Sequence, residues 1–190
     1  VRAASDLNES LNAVNVTFGA SADEIMKLGK RSAGTIGLSE SAFNGLAVQF
    51  SAFATTVAGK GGNVADVIDE LSRRGADFAS VMNLDVNEAM RLFQSGLAGE
   101  TEPLRRFGID LSAAAVEMFA LENGIWDGTG AMSESQKVMA RYQALMAQTE
   151  KTAGDFANTS DELANKNRIN AARFEDAKAS GAESWIDVRG

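Results

Sequence analysis

The sequence contains no cysteine, no histidine and a single proline among its 190 residues. A chain without cysteine and histidine cannot form disulfides, thiolate nucleophiles, Cys/His zinc sites or histidine-based catalytic triads. One proline leaves long helices uninterrupted, and no apolar run of the sequence approaches the 18 residues that a membrane-spanning helix needs. We therefore expect no catalytic residue, no metal, no cofactor and no membrane span in this segment.

Acidic residues outnumber basic ones, with 26 Asp and Glu against 18 Lys and Arg and a net charge of −8. The excess is spread over both halves of the chain. Basic residues stand out at 27–31 and at the pair Arg105–Arg106, whereas Arg73 and Arg74 lie beside acidic residues. Phosphate contacts dominate nucleic-acid affinity, so this balance predicts no specific nucleic-acid binding. The 45% hydrophobic and 23% charged residues are typical of a folded globular chain.

Helix-starting residues recur along the chain, each followed by apolar residues at helical spacing. Ser, Thr, Asn or Asp at such a position accepts a hydrogen bond from the first turn, and Glu or Gln three residues later completes a capping box. The expected N-caps are Ser21, Ser39, Asn63, Asp85, Thr101, Ser112 and Ser133. Glu24, Glu88 and Gln136 are placed to complete three of these boxes. Because no alternating strand pattern is present, we predict an all-α fold with a compact multi-helix bundle.

The character of the sequence changes after residue 150. Residues 152–183 favour helix but are polar nearly all round, and their apolar residues are too widely spaced to form a core-facing stripe. These apolar residues are Phe156, Leu163, Ile169 and Phe174. We predict a compact helical domain over residues 1–150, an extended, polar helical arm over 151–183, and a disordered or divergent end over 184–190.

Three groups of residues could be taken for chemical sites. Residues 59–62 read GKGG, but the lysine is not followed by Ser or Thr and no strand precedes it, so we interpret them as a turn between helices. Glu100 and Glu102 could form an acid/base pair, but they flank a helix start, where the helix dipole favours carboxylates. Arg105 and Arg106 suit either a solvated helix face or an interaction patch. The methionines and phenylalanines fit a core better than a cofactor pocket.

One longer stretch carries a family resemblance. Residues 93–109 read FQSGLAGETEPLRRFGI. This stretch resembles tail tape measure proteins of long-tailed bacteriophages, in which the form sGLAGetEPLRRFGI recurs, especially in phages and prophages of actinobacteria. Residues 18–21 (FGAS), 36–39 (IGLS) and 152–165 (TAGDFANTSDELAN) are also similar to the family. The order and spacing of these stretches agree over about residues 14–178.

The resemblance implies a structural role rather than an enzymatic one. A tape measure protein fills the lumen of the growing tail tube, sets tail length and is expelled ahead of the DNA at infection. The implied partners are further copies of the chain, tail tube and tail tip proteins, and tail assembly chaperones. The implied location is the tail lumen of the virion, after assembly in the host cytoplasm. Two alternatives stay open: a fragment of a tail-borne cell-wall hydrolase, and an unrelated helical interaction module. Since whole family members are far longer, we expect this chain to be a piece of one.

Overall fold

The computed structural model describes the backbone of residues 2–187 and the side chains of residues 2–181. Within that part of the chain there is no strand, which confirms the predicted all-α class. The helices are α1 (Arg2–Phe18), α2 (Ala22–Ile36), α3 (Glu40–Ala58), α4 (Val64–Met82), α5 (Val86–Ala98), α6 (Glu102–Arg105), α7 (Ala113–Glu122), α8 (Glu134–Gln148), α9 (Asp155–Asn158) and α10 (Leu163–Asp187). Two short 3₁₀ turns, Gly19–Ser21 and Glu150–Thr152, precede α2 and α9.

Most of the predicted caps are formed. Side-chain oxygens accept a hydrogen bond from the first-turn backbone at Ser39, Asn63, Asp85, Ser112 and Ser133. The capping box of Ser133 with Gln136 is complete on both sides. Thr101 precedes α6 without a side-chain cap bond, although Pro103 does lie in the first turn as predicted.

The predicted capping box of Ser21 with Glu24 is wrong. Ser21 ends a 3₁₀ turn with φ −90° and ψ 0°, whereas a capping side chain needs an extended backbone to reach the first-turn N–H groups. Glu24 instead accepts a hydrogen bond from the Asn63 side-chain amide at 2.9 Å. The α2 start is thereby tied to the α4 start.

Helix α4 lies at the centre of the bundle, where it contacts α2, α3, α5 and α9. Its buried Phe78 packs against Phe93 and Phe107, with ring centroids 5.4 and 5.3 Å away. The Tyr142 hydroxyl of α8 donates to the Glu70 carboxylate of α4 at 2.6 Å. Burial, and then this hydrogen bond, raise the pKa of Tyr142, so the hydroxyl remains a donor.

The segment expected to form an arm, residues 151–183, lies against the bundle in this structure. Helix α10 contacts α1 and α2, and Ile169, Ala172 and Ala179 are buried. Leu163 is exposed, as the polar character of the segment suggests. The small side chains of Ala172 and Ala179 and the polar side chain of Asn165 are buried in this contact, although they form no apolar stripe in the sequence. This packing differs from the extended arm that we expected.

An extended arm therefore stays a prediction for the chain within an assembly. The predicted boundary at residue 150 coincides with the 3₁₀ turn after α8. Of the end predicted to be disordered or divergent, residues 184–187 continue α10, while residues 188–190 lie outside the described residues.

Two phenylalanines test this packing as a matched pair. Phe78→Ala should lower the free energy of unfolding by about 3–5 kcal/mol, because it empties the contact between α4 and α5. Phe174→Ala should lower it by less than about 1 kcal/mol, because Phe174 is 63% exposed and its ring stacks with the Lys178 ammonium. Urea unfolding of both variants measures the difference, and equal losses would contradict the placement of α4 at the centre.

Candidate interaction surfaces

The stretch with the strongest family resemblance forms a packed corner between α5 and α7. Phe93 and Leu104 are fully buried, and a Cβ at Gly96 would lie 2.3 Å from Leu104 Cδ1. Gly99 ends α5 with φ 102°, a left-handed conformation that glycine adopts without strain. We call residues 93–109 the corner. Its small and apolar residues are thus explained by the fold itself.

The charged side chains of the corner are exposed, and two of its arginines form ion pairs. Arg105 donates to the Glu102 carboxylate at 2.8 Å, and the Glu102 side chain is 81% exposed. Arg106 lies 3.7 Å from a Glu88 carboxylate oxygen and stacks over the Phe107 ring. Glu100 is exposed as well. The two carboxylates of the candidate acid/base pair therefore lie on an open surface rather than in a buried cleft of the kind that raises the pKa of a general acid.

The corner predicts losses of stability of different size for two neighbouring residues. Leu104→Ala should lower the free energy of unfolding by about 2–5 kcal/mol, since it leaves a cavity beneath Gly96. Arg105→Ala should lower it by less than about 1 kcal/mol, since it removes only an exposed ion pair. Thermal and urea denaturation measure both. A large loss with Arg105→Ala would show that the exposed face carries the stability of the corner.

A second surface holds the C-terminal segment. The Asp77 carboxylate of α4 accepts hydrogen bonds from the backbone N–H groups of Gly154 and Phe156, at 2.8 and 3.0 Å. Phe156 is buried beside Gly37, where an added Cβ would lie 3.1 Å from the phenyl ring. Two stretches that carry the resemblance, 36–39 and 152–165, are therefore in direct contact.

A partly buried polar cluster around Asn165 continues this surface into α10. The Asn165 side-chain amide donates to Ser80 Oγ and Thr159 Oγ1, each at 2.8 Å. Arg168 donates to Asn165 Oδ1 and, at 2.7 Å, to the carbonyl oxygen of Leu84. We call the contacts of Asp77, Asn165 and Arg168 the polar dock. Its groups can be satisfied by water on release, so it holds α10 less tightly than an apolar interface of the same size.

The polar dock gives a local prediction. Asp77→Ala should raise the amide hydrogen-exchange rates of residues 154–181 by at least about tenfold, because two backbone bonds to a carboxylate are lost. Asp66→Ala, an exposed residue of the same helix, should leave these rates unchanged. Exchange mass spectrometry reports both. Uniformly faster exchange over the whole chain would mean that Asp77 acts on global stability and does not control the C-terminal segment.

A groove runs between α3 and α5 on the outside of the bundle. Three adjoining cavities of about 460, 270 and 380 Å³ follow one another along it. Residues on one stripe of each helix line it, among them Ala42, Gln49 and Phe53 of α3 and Asn87, Arg91 and Gln94 of α5. α10 borders one end and α8, through Val138 and Arg141, borders the other. We call it the α3–α5 groove.

Helix α7 presents an apolar strip to solvent. Its Val116 and Ala120 are buried on the side that packs against α8, but Met118 and Leu121 are 62% and 53% exposed. Ala114, Met118 and Leu121 follow one another at helical spacing, so the exposed strip is continuous. We call these three residues the α7 face. The expectation that methionines belong to the core is therefore wrong at Met118.

The described residues contain no group of three or more acidic side chains arranged to hold a metal ion. Among them, no helix combines the length and the apolar character that crossing a membrane requires. Residues 59–62 form the turn between α3 and α4, as predicted.

No family model, no curated protein and no solved structure matches the chain.

Proposed function

We propose that this chain is a segment of a bacteriophage tail tape measure protein, a structural protein that fills the tail tube lumen and sets tail length. The observation that carries the proposal is the ordered occurrence of four similar stretches over about residues 14–178, the longest being residues 93–109. In this role the chain acts within the virion tail and leaves ahead of the DNA. Its partners are further copies, tail tube and tip proteins, and assembly chaperones.

The fold supports this proposal in two ways. The corner is packed, and residues 36–39 contact residues 152–165, as expected if the similar stretches belong to one helical module. The exposed carboxylates of the corner also favour an assembly role over hydrolysis, and we propose that the chain is not an enzyme.

The extended arm belongs to this proposal as its length-setting part. A helix rises about 1.5 Å per residue, so residues 151–183 as a continuous helix would span about 50 Å. The polar dock supports the idea, because its contacts exchange for water when the segment leaves the bundle.

Tail length measured by electron microscopy tests the proposal directly. A phage that carries this chain, with residues 151–183 deleted in frame, should have tails shorter by about 50 Å. A matched phage with a scrambled helix-forming segment of equal length should keep the original tail length. Unchanged length with lost infectivity would contradict the ruler role of the arm and favour docking. Normal length and full infectivity after the deletion would overturn the proposed role.

A second experiment addresses the enzymatic alternative. Turnover of peptidoglycan by the folded chain, abolished by Glu100→Gln or Glu102→Gln, would establish a hydrolase. Because both carboxylates lie in solvent, we expect no turnover and no difference between these variants.

Detection of the chain by mass spectrometry in purified virions separates a tail protein from an unrelated helical module, which would be absent there.

A further inference from the structure

Helix α7 is more apolar than its exposed position in the bundle would suggest. Its ten residues include only two charged side chains, Glu117 and Glu122, and a helix this apolar is normally covered on more than one side. In this structure α8 covers one side, and the α7 face opposite is open to solvent. On the helical wheel Glu117 and Glu122 flank the α7 face on its two edges.

The charge around this helix has one sign. Between residues 107 and 136 the sequence has five Asp and Glu and no Lys or Arg. An apolar strip with acidic edges suits a partner surface that offers apolar contacts together with cations. The charge pattern also argues against two α7 faces packing on each other, because their carboxylates would repel.

The α3–α5 groove has the complementary properties. Phe53, Leu97 and Val138 give it apolar walls at the α8 end. Arg91 lines its middle and makes no hydrogen bond or ion pair with any described residue. Arg141 lines the α8 end, where its one hydrogen bond is a long 3.4 Å contact to the Leu97 carbonyl.

The carboxylates that border the groove are already engaged. Glu134 accepts from Lys137 at 2.7 Å, and Asp85 caps the start of α5. Glu175 forms an ion pair with Lys178 at 2.7 Å. Arg91 therefore remains open to a ligand, and Arg141 has beside it, among the described carboxylates, only Glu134, whose carboxylate is bound by Lys137.

We propose that the α7 face of one copy of this chain lies in the α3–α5 groove of a second copy. Ala42 and Thr56 of α3 mark the two ends of the groove and are separated by about 21 Å, while α7 is about 15 Å long. Met118 and Leu121 enter the apolar end of the groove, and Glu117 and Glu122 pair with Arg91 and Arg141. Helix-in-groove recognition of this kind uses residues spaced as those of the α7 face are.

The two surfaces are different patches of one molecule, so the contact is head-to-tail. Such a contact leaves a free groove at one end and a free α7 face at the other, and it builds rings or open chains of copies. This contact involves only the two surfaces, and it can form whether or not the chain has the tail role. A virion experiment tests that role, whereas purified protein tests this association.

Sedimentation velocity with a charge-swap cycle tests the contact. The wild-type chain should associate in a concentration-dependent manner between about 1 µM and 1 mM. The groove variant Arg91→Glu/Arg141→Glu and the helix variant Glu117→Arg/Glu122→Arg should each weaken association by at least about tenfold. A mixture of the two variants should associate again, because the reversed helix of one fits the reversed groove of the other.

Matched controls separate the contact from net charge and from misfolding. Asp6→Arg/Glu9→Arg on α1 and Lys30→Glu/Lys60→Glu change the net charge equally at exposed sites and should leave association unchanged. Circular dichroism and a thermal midpoint within about 3 °C of wild type show that each variant is folded. If Arg141→Glu impairs folding, Arg91→Glu alone serves as the groove variant.

Three results would overturn the proposal. These are a wild-type chain that stays monomeric up to about 1 mM, association that neither variant weakens, and a mixture that fails to recover. A monomeric chain whose α7 face binds a basic amphipathic peptide would instead identify a different protein as the occupant.

Discussion

Helix α4 packs against a different element on each of its sides, and the arrangement of the bundle depends on these contacts. Phe78 fixes α5 and the corner, and Glu70 binds Tyr142 of α8. Arg74 donates to the Met146 carbonyl at 2.7 Å and so satisfies the end of α8. Asp77 binds the backbone around α9. Helix α4 thereby contacts α5, the corner, α8 and the backbone around α9, through the packing of Phe78 and through three polar side chains.

The contacts differ in chemical nature, so one part of the molecule resists local opening more than another. Around Phe78 and Leu104 the contacts are apolar, and opening them exposes surface that water does not stabilise. Around Asp77 and Asn165 the contacts are hydrogen bonds that water can replace. Their net contributions are about 1 kcal/mol for a neutral pair and about 1.5–3 kcal/mol where the Asp77 carboxylate or the Arg168 guanidinium takes part. Local opening is therefore expected to begin at the polar dock and to leave the α4–α5 core intact.

The same distinction explains what sequence reasoning could find. Caps and apolar stripes are local signals, so the helices after Ser39, Asn63 and Ser133 were predictable with their starts. The role of Asn165 could not be predicted, because its partner Ser80 is distant in sequence and a buried Asn cannot be distinguished from an exposed one in the sequence alone. Met118 was expected in the core but is exposed, since helical spacing of apolar residues does not show which side of the helix another helix covers. The α3–α5 groove depends on how two helices are placed together, which neither helix encodes alone.

A folded module and a ruler make opposite demands on the same residues. In the proposed ruler role, residues 151–183 would add about 50 Å of length only as an extended helix, and none of that length while they lie on α1 and α2. Extending them exposes Phe156 and Ile169, at about 1.5–3 kcal/mol each, besides the polar dock. A partner that holds the extended form must therefore bind it more tightly than the docked form by at least this difference. Loss of the Asp77 hydrogen bonds to Gly154 and Phe156 would shift the balance between docked and extended forms toward the extended one, without a change in any residue of the arm.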